Sequence, residues 1–242
     1  MARVKLIDNN ERESLAPLFN TQSASDALAV YCALIHPAEK LKLYVSYDGG
    51  GNPNSFLAIA QTGMDLFRPL AVPFVASEKY LNELIHSALT PGQPVLLHLP
   101  LEQRDWLDEK IILTDAKITE LLRLDPMSFQ PILNVLVMEL TMPSGLPRYE
   151  IKTKSGSHAA AGINWMGDRF SEIYLEADRE AQVRGLALSV LSAMSNRLLE
   201  ENRIPLFGLE SQAEIEFKEL NNLGYRSTGS RTLTAQLLIR PD

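Results

Sequence analysis

The sequence contains a single cysteine, Cys32. One cysteine permits no intrachain disulfide and no C-x-x-C motif of the metal-binding or redox type. Four histidines are present without metal-ligand spacing and without a serine nucleophile motif beside them: His36, His86, His98 and His158. We therefore expect no bound metal, and the lack of disulfides fits a reducing cytoplasm.

Long apolar runs and an excess of positive charge are also missing. The longest apolar stretch, Ile132–Met138, is far shorter than the roughly 20 residues needed to cross a membrane. The basic start "MARVKLIDNN" has no apolar run behind it, so no export or anchoring segment is expected. A formal net charge of -7 argues against a nucleic-acid partner, because such binding relies on lysine and arginine neutralising phosphates. These absences predict a cytoplasmic protein with neither a membrane nor a nucleic-acid partner, and leave its oligomeric state open.

The composition is that of an ordinary globular protein. Apolar residues make up 45% of the chain and charged residues 22%, which excludes a disordered or fibrous class. A chain of 242 residues can form one large domain or two small ones.

The sequence of the first half predicts two helices, Glu11–Asn20 and Ala24–Leu34, before the first strand. Strand-like alternation then begins at "KLYVSY", which meets "FLAIAQ" across the hairpin loop "DGGGNPNS". A helix is predicted at Glu78–Leu89 and a short one at Glu102–Lys110. The remaining strands of this half are predicted at "LFRPLAVPFVA", "PVLLHLP" and "IILTDAKITELLRL".

From Arg148 onward the same order of elements returns without the opening helices. A hairpin about Ser155–Ser157 leads to the strand "SEIYLEA", a helix over Leu186–Glu201, the strand "IPLFGLE", a helix "AEIEFKELNNLG" and the final strand "TLTAQLLI". Gly224 is the expected C-cap of the last helix. One topology is thus used twice, and the stretch "TMPSGLP" is the expected connection. This predicts two domains, residues 1–140 and 141–242.

The stretch "EAQVRGLALSV" places a glycine, Gly185, where a strand gives way to a long helix. Glycine costs about 1 kcal/mol relative to alanine inside a helix, so its presence suggests a special turn or a close backbone approach. Unpaired N–H groups and the helix dipole at a helix start form an anion site, commonly for phosphate. Without a Cβ, Gly185 would let a phosphate approach the main chain. The alternative is a glycine that serves only packing and capping.

The stretch "QVRGLA" matches the pattern Q/R-x-x-G-x-G/A at Gln182, Gly185 and Ala187. Here the chain resembles the GNAT superfamily of acetyl-CoA-dependent N-acetyltransferases, whose pyrophosphate loop has this pattern. The strand "PLFGLES" and the helix ending "NNLGY" follow in the family's order, and the resemblance covers roughly Tyr149–Ile239.

The resemblance implies an α/β fold of two GNAT-like halves, each a mixed, mostly antiparallel sheet flanked by helices. It implies acetyl-CoA as co-substrate, bound by residues of the second half: Ala177, Gln182, Val183, Arg184, Gly185, Leu186, Ala187 and Ser211. The first half has no glycine from Val75 to Leu89, so close pyrophosphate approach is hindered there. The first half is thus expected to be a degenerate domain that binds no CoA.

The family mechanism implies direct attack of an amine on the thioester while both substrates are bound. A base or a water chain is required, because an alkyl amine is protonated at neutral pH. Glu172, Tyr174 and Glu176 share one face of their strand, and Glu172 and Glu176 are the candidate catalytic bases, with Glu172 favoured. The alternative is that both glutamates are merely solvated at the strand edge.

Two departures from the family pattern favour binding over efficient catalysis. The position at which many members carry a tyrosine that protonates the leaving thiolate is Leu220, and Tyr225 is expected to be a packed aromatic. Val183 follows Gln182, where the loop of many members has a glycine. The predicted function is N-acetyl transfer to a primary amine of a small molecule or an amino terminus. The alternative is a non-catalytic acyl-CoA-binding or regulatory protein.

Overall fold

The computed structural model describes residues 3–62, 65, 67–143, 145–211 and 215–241. The chain divides into two compact units, of which unit 1 is Met1–Thr119 with Arg231–Asp242 and unit 2 is Glu120–Ser230. The chain leaves unit 1 within a long strand, Ile111–Leu124 (β6), and returns to it within another, Tyr225–Ile239 (β12). This division differs from the boundary expected between residues 140 and 141. The stretch expected to connect the domains lies inside unit 2, between two paired strands.

Unit 1 begins with a strand and continues with short helices. Its remaining strands are Arg3–Ile7 (β1), Leu41–Tyr47 (β2), Pro53–Ala60 (β3), Leu70–Phe74 (β4) and Val95–Pro100 (β5). Its α-helices are Ala27–Val30 (α1) and Glu78–Ala88 (α2). Tyr31–Ile35 is a π-helix, and three 3₁₀ helices cover Asn9–Leu18, Ala38–Lys40 and Leu101–Trp106.

The strands of unit 1 form a mixed sheet. β1, β2, β3 and β4 pair antiparallel in that order, whereas β4 and β5 are parallel over only two residue pairs. β5 pairs antiparallel with Thr232–Leu237 of β12. Helix α2 packs by its amphipathic pattern, since Leu81, Leu84 and Ile85 recur at helical spacing and are fully buried.

The hairpin, α2 and β6 of unit 1 are confirmed, and the opening of the chain was predicted wrongly. A five-residue strand, β1, precedes the helical region, and its short "RVKLI" pattern carried too few alternations to predict it. The first predicted helix is a 3₁₀ helix that contains Pro17 near its end. A proline in a helix interior removes a main-chain donor and disfavours the α form.

Unit 2 contains one sheet and three α-helices among its described residues. Its strands are Met138–Thr141 (β7), Pro147–Lys152 (β8), His158–Met166 (β9), Phe170–Ala177 (β10) and Ile204–Glu210 (β11). Its helices are Arg179–Val183 (α3), Leu186–Glu200 (α4) and Phe217–Leu223 (α5). The strands neighbour each other in the order β11, β10, β9, β8, β7, with β10 and β11 parallel and the other pairs antiparallel.

Helix α4 covers one face of this sheet, as its apolar spacing predicted. Its buried side chains pack on small and branched residues of β8 to β10, and the helix residues are Leu186, Val190, Leu191, Met194 and Leu198. Full burial of each such side chain stabilises the fold by about 1.5–3 kcal/mol. Alanines of β9, among them Ala159 and Ala161, leave room for the helix to approach the sheet.

Two details of unit 2 bear on the sequence prediction. Gly224 is the left-handed C-cap of α5, as predicted, with φ of 114°. A Cβ there would lie 2.9 Å from the Cα of Phe129, so no other residue fits without movement. Part of the predicted helix, Ala213 and Glu214, lies outside the described residues, and α5 itself begins at Phe217.

In the described part of the chain, no helix combines the length and the apolar composition that a membrane crossing requires.

Candidate functional site

Two parallel strands of unit 2 separate from each other partway along their length. β10 and β11 are paired from Phe170↔Ile204 to Ile173↔Phe207. β10 continues to Ala177 and β11 to Glu210, yet among the described residues no register pair joins these later parts. The C-terminal ends of the two strands are therefore unpaired, and the space between Tyr174–Ala177 and the end of β11 is called the wedge below. Register is a property of the folded sheet, and neither strand sequence predicted where the pairing ends.

Gly185 stands where the chain enters α4. It is the N-cap residue, in the left-handed conformation with φ of 70° and ψ of 13°. Glycine is needed because a side chain at positive φ is strained. A Cβ at this position would have no neighbouring heavy atom within 4 Å. The space in front of the first turn of α4 is therefore open on this side.

The family pattern matched at "QVRGLA" implies a loop before Gly185, and this segment forms the short helix α3. Asp178 caps it, because one carboxylate oxygen accepts from the Ala181 N–H (2.8 Å) and the other from the His158 N–H (2.5 Å). These backbone hydrogen bonds hold the pKa of Asp178 below its usual value. Gln182 and Val183 are therefore helical rather than part of a loop, because a charged N-cap stabilises a helical turn there.

The helical form of α3 uses several N–H groups that an anion would need. The Gln182 N–H donates to the Asp178 carbonyl (3.1 Å), the Arg184 N–H to the Glu180 carbonyl (3.1 Å) and the Gly185 N–H to the Gln182 carbonyl (2.9 Å). The N–H groups at the start of α4 have no acceptor within their own helix. An anion at this site would therefore bind the first turn of α4 rather than the whole of Val183–Ala187.

A cavity of about 660 Å³ lies beside this turn, between α3, the start of α4 and α5. Three of the predicted cofactor residues line it: Gln182, Val183 and Ala187. The other residues that line the cavity are Arg179, Leu188, Ile215, Glu216, Lys218, Glu219 and Asn222.

Two cations and two anions face this cavity. Arg179 comes from α3 and Lys218 from α5. Glu216 and Glu219 are engaged in the cap of α5, where the Glu216 N–H donates to the Glu219 carboxylate (3.2 Å). The two cations would attract a phosphate in this cavity, and the two carboxylates would oppose part of that attraction.

The remaining predicted cofactor residues do not line the cavity. The Ala177 carbonyl accepts from the Gln182 side chain (3.3 Å), and the Leu186 side chain is buried in the core. The Arg184 guanidinium donates to the hydroxyl oxygens of Ser155 and Ser157 (both 3.4 Å). Ser211 is exposed and directly follows β11.

Glu172 lies near the vertex of the wedge, where it pairs with Leu206 one position before the pairing ends. The indole N–H of Trp165 donates to its carboxylate (2.5 Å). Burial raises the pKa of Glu172 above its ordinary value, and the hydrogen bond from Trp165 opposes that shift. A raised pKa suits a general base that works near neutral pH.

Glu176 has a different environment from Glu172. Its carboxylate accepts from Arg148 (2.7 Å), and the same guanidinium donates to the Tyr174 hydroxyl (2.7 Å). The Glu176 side chain is 56% exposed. Arg148 thus holds the Glu176 carboxylate at an exposed position beyond the paired part of the strands, so the geometry favours Glu172.

Gly162 on β9 leaves the space that the Tyr174 ring occupies. A Cβ at Gly162 would lie 2.3 Å from the end of that ring. We expect Gly162→Ala to displace Tyr174, break its bond with Arg148 and destabilise the fold by about 1–3 kcal/mol, the usual cost of overpacking. Chemical denaturation measures the change. Adding Tyr174→Ala to the Gly162→Ala variant should restore most of the lost stability. If the two substitutions instead lower the stability additively, the proposed clash is contradicted.

Leu220 and Tyr225 lie in the core of unit 2. Both are fully buried, and the Tyr225 hydroxyl shares a hydrogen bond with Ser195 (2.8 Å). Burial raises the pKa of the Tyr225 phenol. Tyr225 is a packed aromatic, as expected. The side chain of Leu220 has no acidic proton that it could donate to a leaving thiolate.

The histidines are distributed among separate environments. His86 contacts Asp108 (2.6 Å), and His158 lies 3.5 Å from Glu150. Burial lowers the pKa of His98 to about 4. Across the described ranges, no group of three or more histidine, cysteine, aspartate or glutamate residues could hold a metal ion.

The corresponding turn of unit 1 lacks the features of the α4 start. Between β4 and α2 the Ala76 N–H donates to the Ser55 hydroxyl (3.1 Å), and the cap residue Ser77 is in an extended conformation. Every residue from Val75 to Leu89 carries a Cβ.

The sequence alone did not identify Trp165, Arg148 or the cavity residues of α5 as parts of the candidate site. The i, i+4 spacing of Lys218 and Asn222, which puts both on one face of the last helix, was the only available signal.

No family model matches the sequence, and no curated protein matches it. Solved structures do match. A Drosophila protein is 13% identical with a TM-score of 0.68, covering 98% of this chain and 99% of its own. A tandem GNAT protein from the clavulanic acid biosynthesis pathway is 11% identical with a TM-score of 0.59 and covers 100% of both chains. A GNAT-family acetyltransferase from Colwellia psychrerythraea is 10% identical with a TM-score of 0.57, covering 97% and 99%.

At 10–13% identity the likeness establishes the fold. The chain has the α/β fold of the GNAT acetyltransferases in a two-domain arrangement, which confirms the expected fold class.

Proposed function

We propose that unit 2 binds acetyl-CoA and transfers its acetyl group to a primary amine of a small molecule or an amino terminus. The observation that carries the proposal is the wedge between β10 and β11, which opens beyond Ile173↔Phe207 on the side of the sheet where β10 leads into α3 and α4. The fold belongs to a class of acyl-transfer enzymes, which supports this reaction in general.

The residues of unit 2 fit such a ligand at three places. The pyrophosphate would meet the first turn of α4, where Gly185 leaves the main chain uncovered. Arg179 and Lys218 in the cavity would neutralise part of its charge. The extended pantetheine arm would lie along Tyr174–Ala177, since an unpaired strand edge binds extended amides through main-chain hydrogen bonds.

The thioester would supply an activated acetyl group near the vertex of the wedge. Glu172 would accept the proton of the attacking amine, directly or through one water. Trp165 would hold the Glu172 carboxylate in place through its indole N–H. Because Leu220 has no ionisable group, the leaving thiolate would take its proton from solvent.

Acetyl-CoA should stabilise the protein against heat. A ligand at about 100 times its dissociation constant adds about 2.7 kcal/mol to the folded state, equivalent to roughly 5–10 °C for a domain of this size. Differential scanning fluorimetry with acetyl-CoA measures the shift, with AMP at the same concentration as the control. No shift at millimolar acetyl-CoA would reject the proposed binding site.

A non-catalytic acyl-CoA-binding protein is the second candidate function. It is favoured by the buried Leu220 and by the N–H groups that α3 already uses. Release of free CoA in the presence of a panel of primary amines separates the two functions. A thermal shift without amine-dependent CoA release would support the binding protein.

A further inference from the structure

One segment of unit 2, Met127–Met142, concentrates the exposed apolar side chains of the molecule. It contains eight of the thirteen large hydrophobic residues that are exposed in the described part of the chain. Leu133 is 94% exposed and Val135 is 100% exposed. A concentration of exposed apolar side chains in one segment is a feature of interaction sites in folded proteins.

The exposure of this segment is fixed by hydrogen bonds to α4. The Ile132 N–H donates to the Ser192 hydroxyl (2.8 Å), and the Asn134 side chain donates to the Ser189 hydroxyl (3.2 Å). Asn134 is thus turned towards the helix, while Leu133 and Val135 on either side of it face solvent. The arrangement reverses the usual placement of polar and apolar side chains, so the apolar surface is held outward by specific contacts.

The segment ends in a strand with an unpaired edge. β7 is the last strand of its sheet and pairs only with β8 among the described residues. Natural edge strands are usually protected by charges, prolines or bulges. The single charge of β7, on Glu139, is engaged by a hydrogen bond with Tyr149. This edge therefore remains open to another strand.

Charge decides which partner fits this surface. Glu139 is the only charged residue between Asp125 and Arg148. An anionic membrane would need lysine or arginine at its contact surface, and the segment has neither. A second copy brings an equally uncharged apolar surface, and two β7 edges can pair antiparallel about a two-fold axis. The 16 residues of Met127–Met142 approach the roughly 20–30 that one side of a stable interface contributes.

We infer that Met127–Met142 is the interface of a homodimer, in which the apolar segment and the β7 edge of one copy pack against the same elements of the other. The dimer depends on this surface alone and not on acyl-CoA.

Sedimentation velocity across micromolar to millimolar protein tests the interface. Wild type should be dimeric, and Leu133→Asp with Val135→Asp should weaken association at least about 100-fold, as truncation of central interface residues does. The matched control is Phe67→Asp, since Phe67 is 93% exposed in unit 1, and it should dimerise like wild type. Circular dichroism checks that the variants are folded.

A spin label provides a second readout that leaves the surface apolar. Cys32 is fully buried, so a label on Val135→Cys is selective. Dipolar coupling between copies is expected from this position. A monomeric wild type, a dimer indifferent to the Leu133 and Val135 changes, or a monomer that binds neutral phosphatidylcholine vesicles through these residues would each overturn the inference.

Discussion

Replacement of Gly185 by valine is expected to weaken acetyl-CoA binding about 100-fold, or about 2.7 kcal/mol. The glycine has φ of 70° and faces open space in front of the first turn of α4. A branched side chain would fill that space and keep a pyrophosphate away from the N–H groups there. Isothermal titration calorimetry measures the loss, and the acetyl-CoA-induced thermal shift should disappear with it.

Gly229→Val separates blocked binding from backbone strain. Gly229 also lies in unit 2, has φ of 77° and has no neighbour within 4 Å of an added Cβ. Both variants should lose stability, by about 1–2 kcal/mol for a side chain in the left-handed region. Only Gly185→Val should lose affinity. If it retains the affinity of wild type, Gly185 is merely the left-handed link between α3 and α4.

The sequence predicted those helices and strands in which apolar residues recur with a clear period. The apolar spacing of Leu186–Leu198 and the alternation in the two hairpins each involve one element or a pair of neighbours, so local pattern determines them. Helix α3 has five residues, too few to show a period, and it forms because Asp178 caps it. The division into units was not predictable from connecting residues, because the chain changes units inside β6 and β12.

The candidate site was predictable only where one stretch of chain forms it. Gly185 was found from its place between a strand and a helix. The wedge depends on where the pairing of β10 with β11 ends, and the ion pair between Arg148 and Glu176 joins residues 28 positions apart. These features arise from tertiary packing, so no local pattern contains them.

Replacement of Glu172 by glutamine is expected to lower turnover about 100-fold or more, with little change in acetyl-CoA affinity. The amide keeps the shape of the side chain but cannot accept the proton of an amine. Since burial raises the pKa of Glu172, wild-type activity should fall as pH decreases through that raised value, and this acidic limb should be absent from the variant. Steady-state kinetics over a pH series measure both effects. Glu176→Gln is the control, because Arg148 already holds that carboxylate at an exposed position.

The same substitution should change stability in the opposite direction to activity. A carboxyl group whose folded pKa lies above its unfolded value of about 4.3 binds more protons in the folded state between those two values. Wild type should therefore lose stability relative to Glu172→Gln as pH rises through this window, and the variant should melt at a higher temperature at neutral pH. A variant that is both more stable and far less active identifies a buried carboxylate kept for chemistry. Near-normal turnover in both glutamine variants would mean that neither glutamate is the base, and that the amine loses its proton to bulk water.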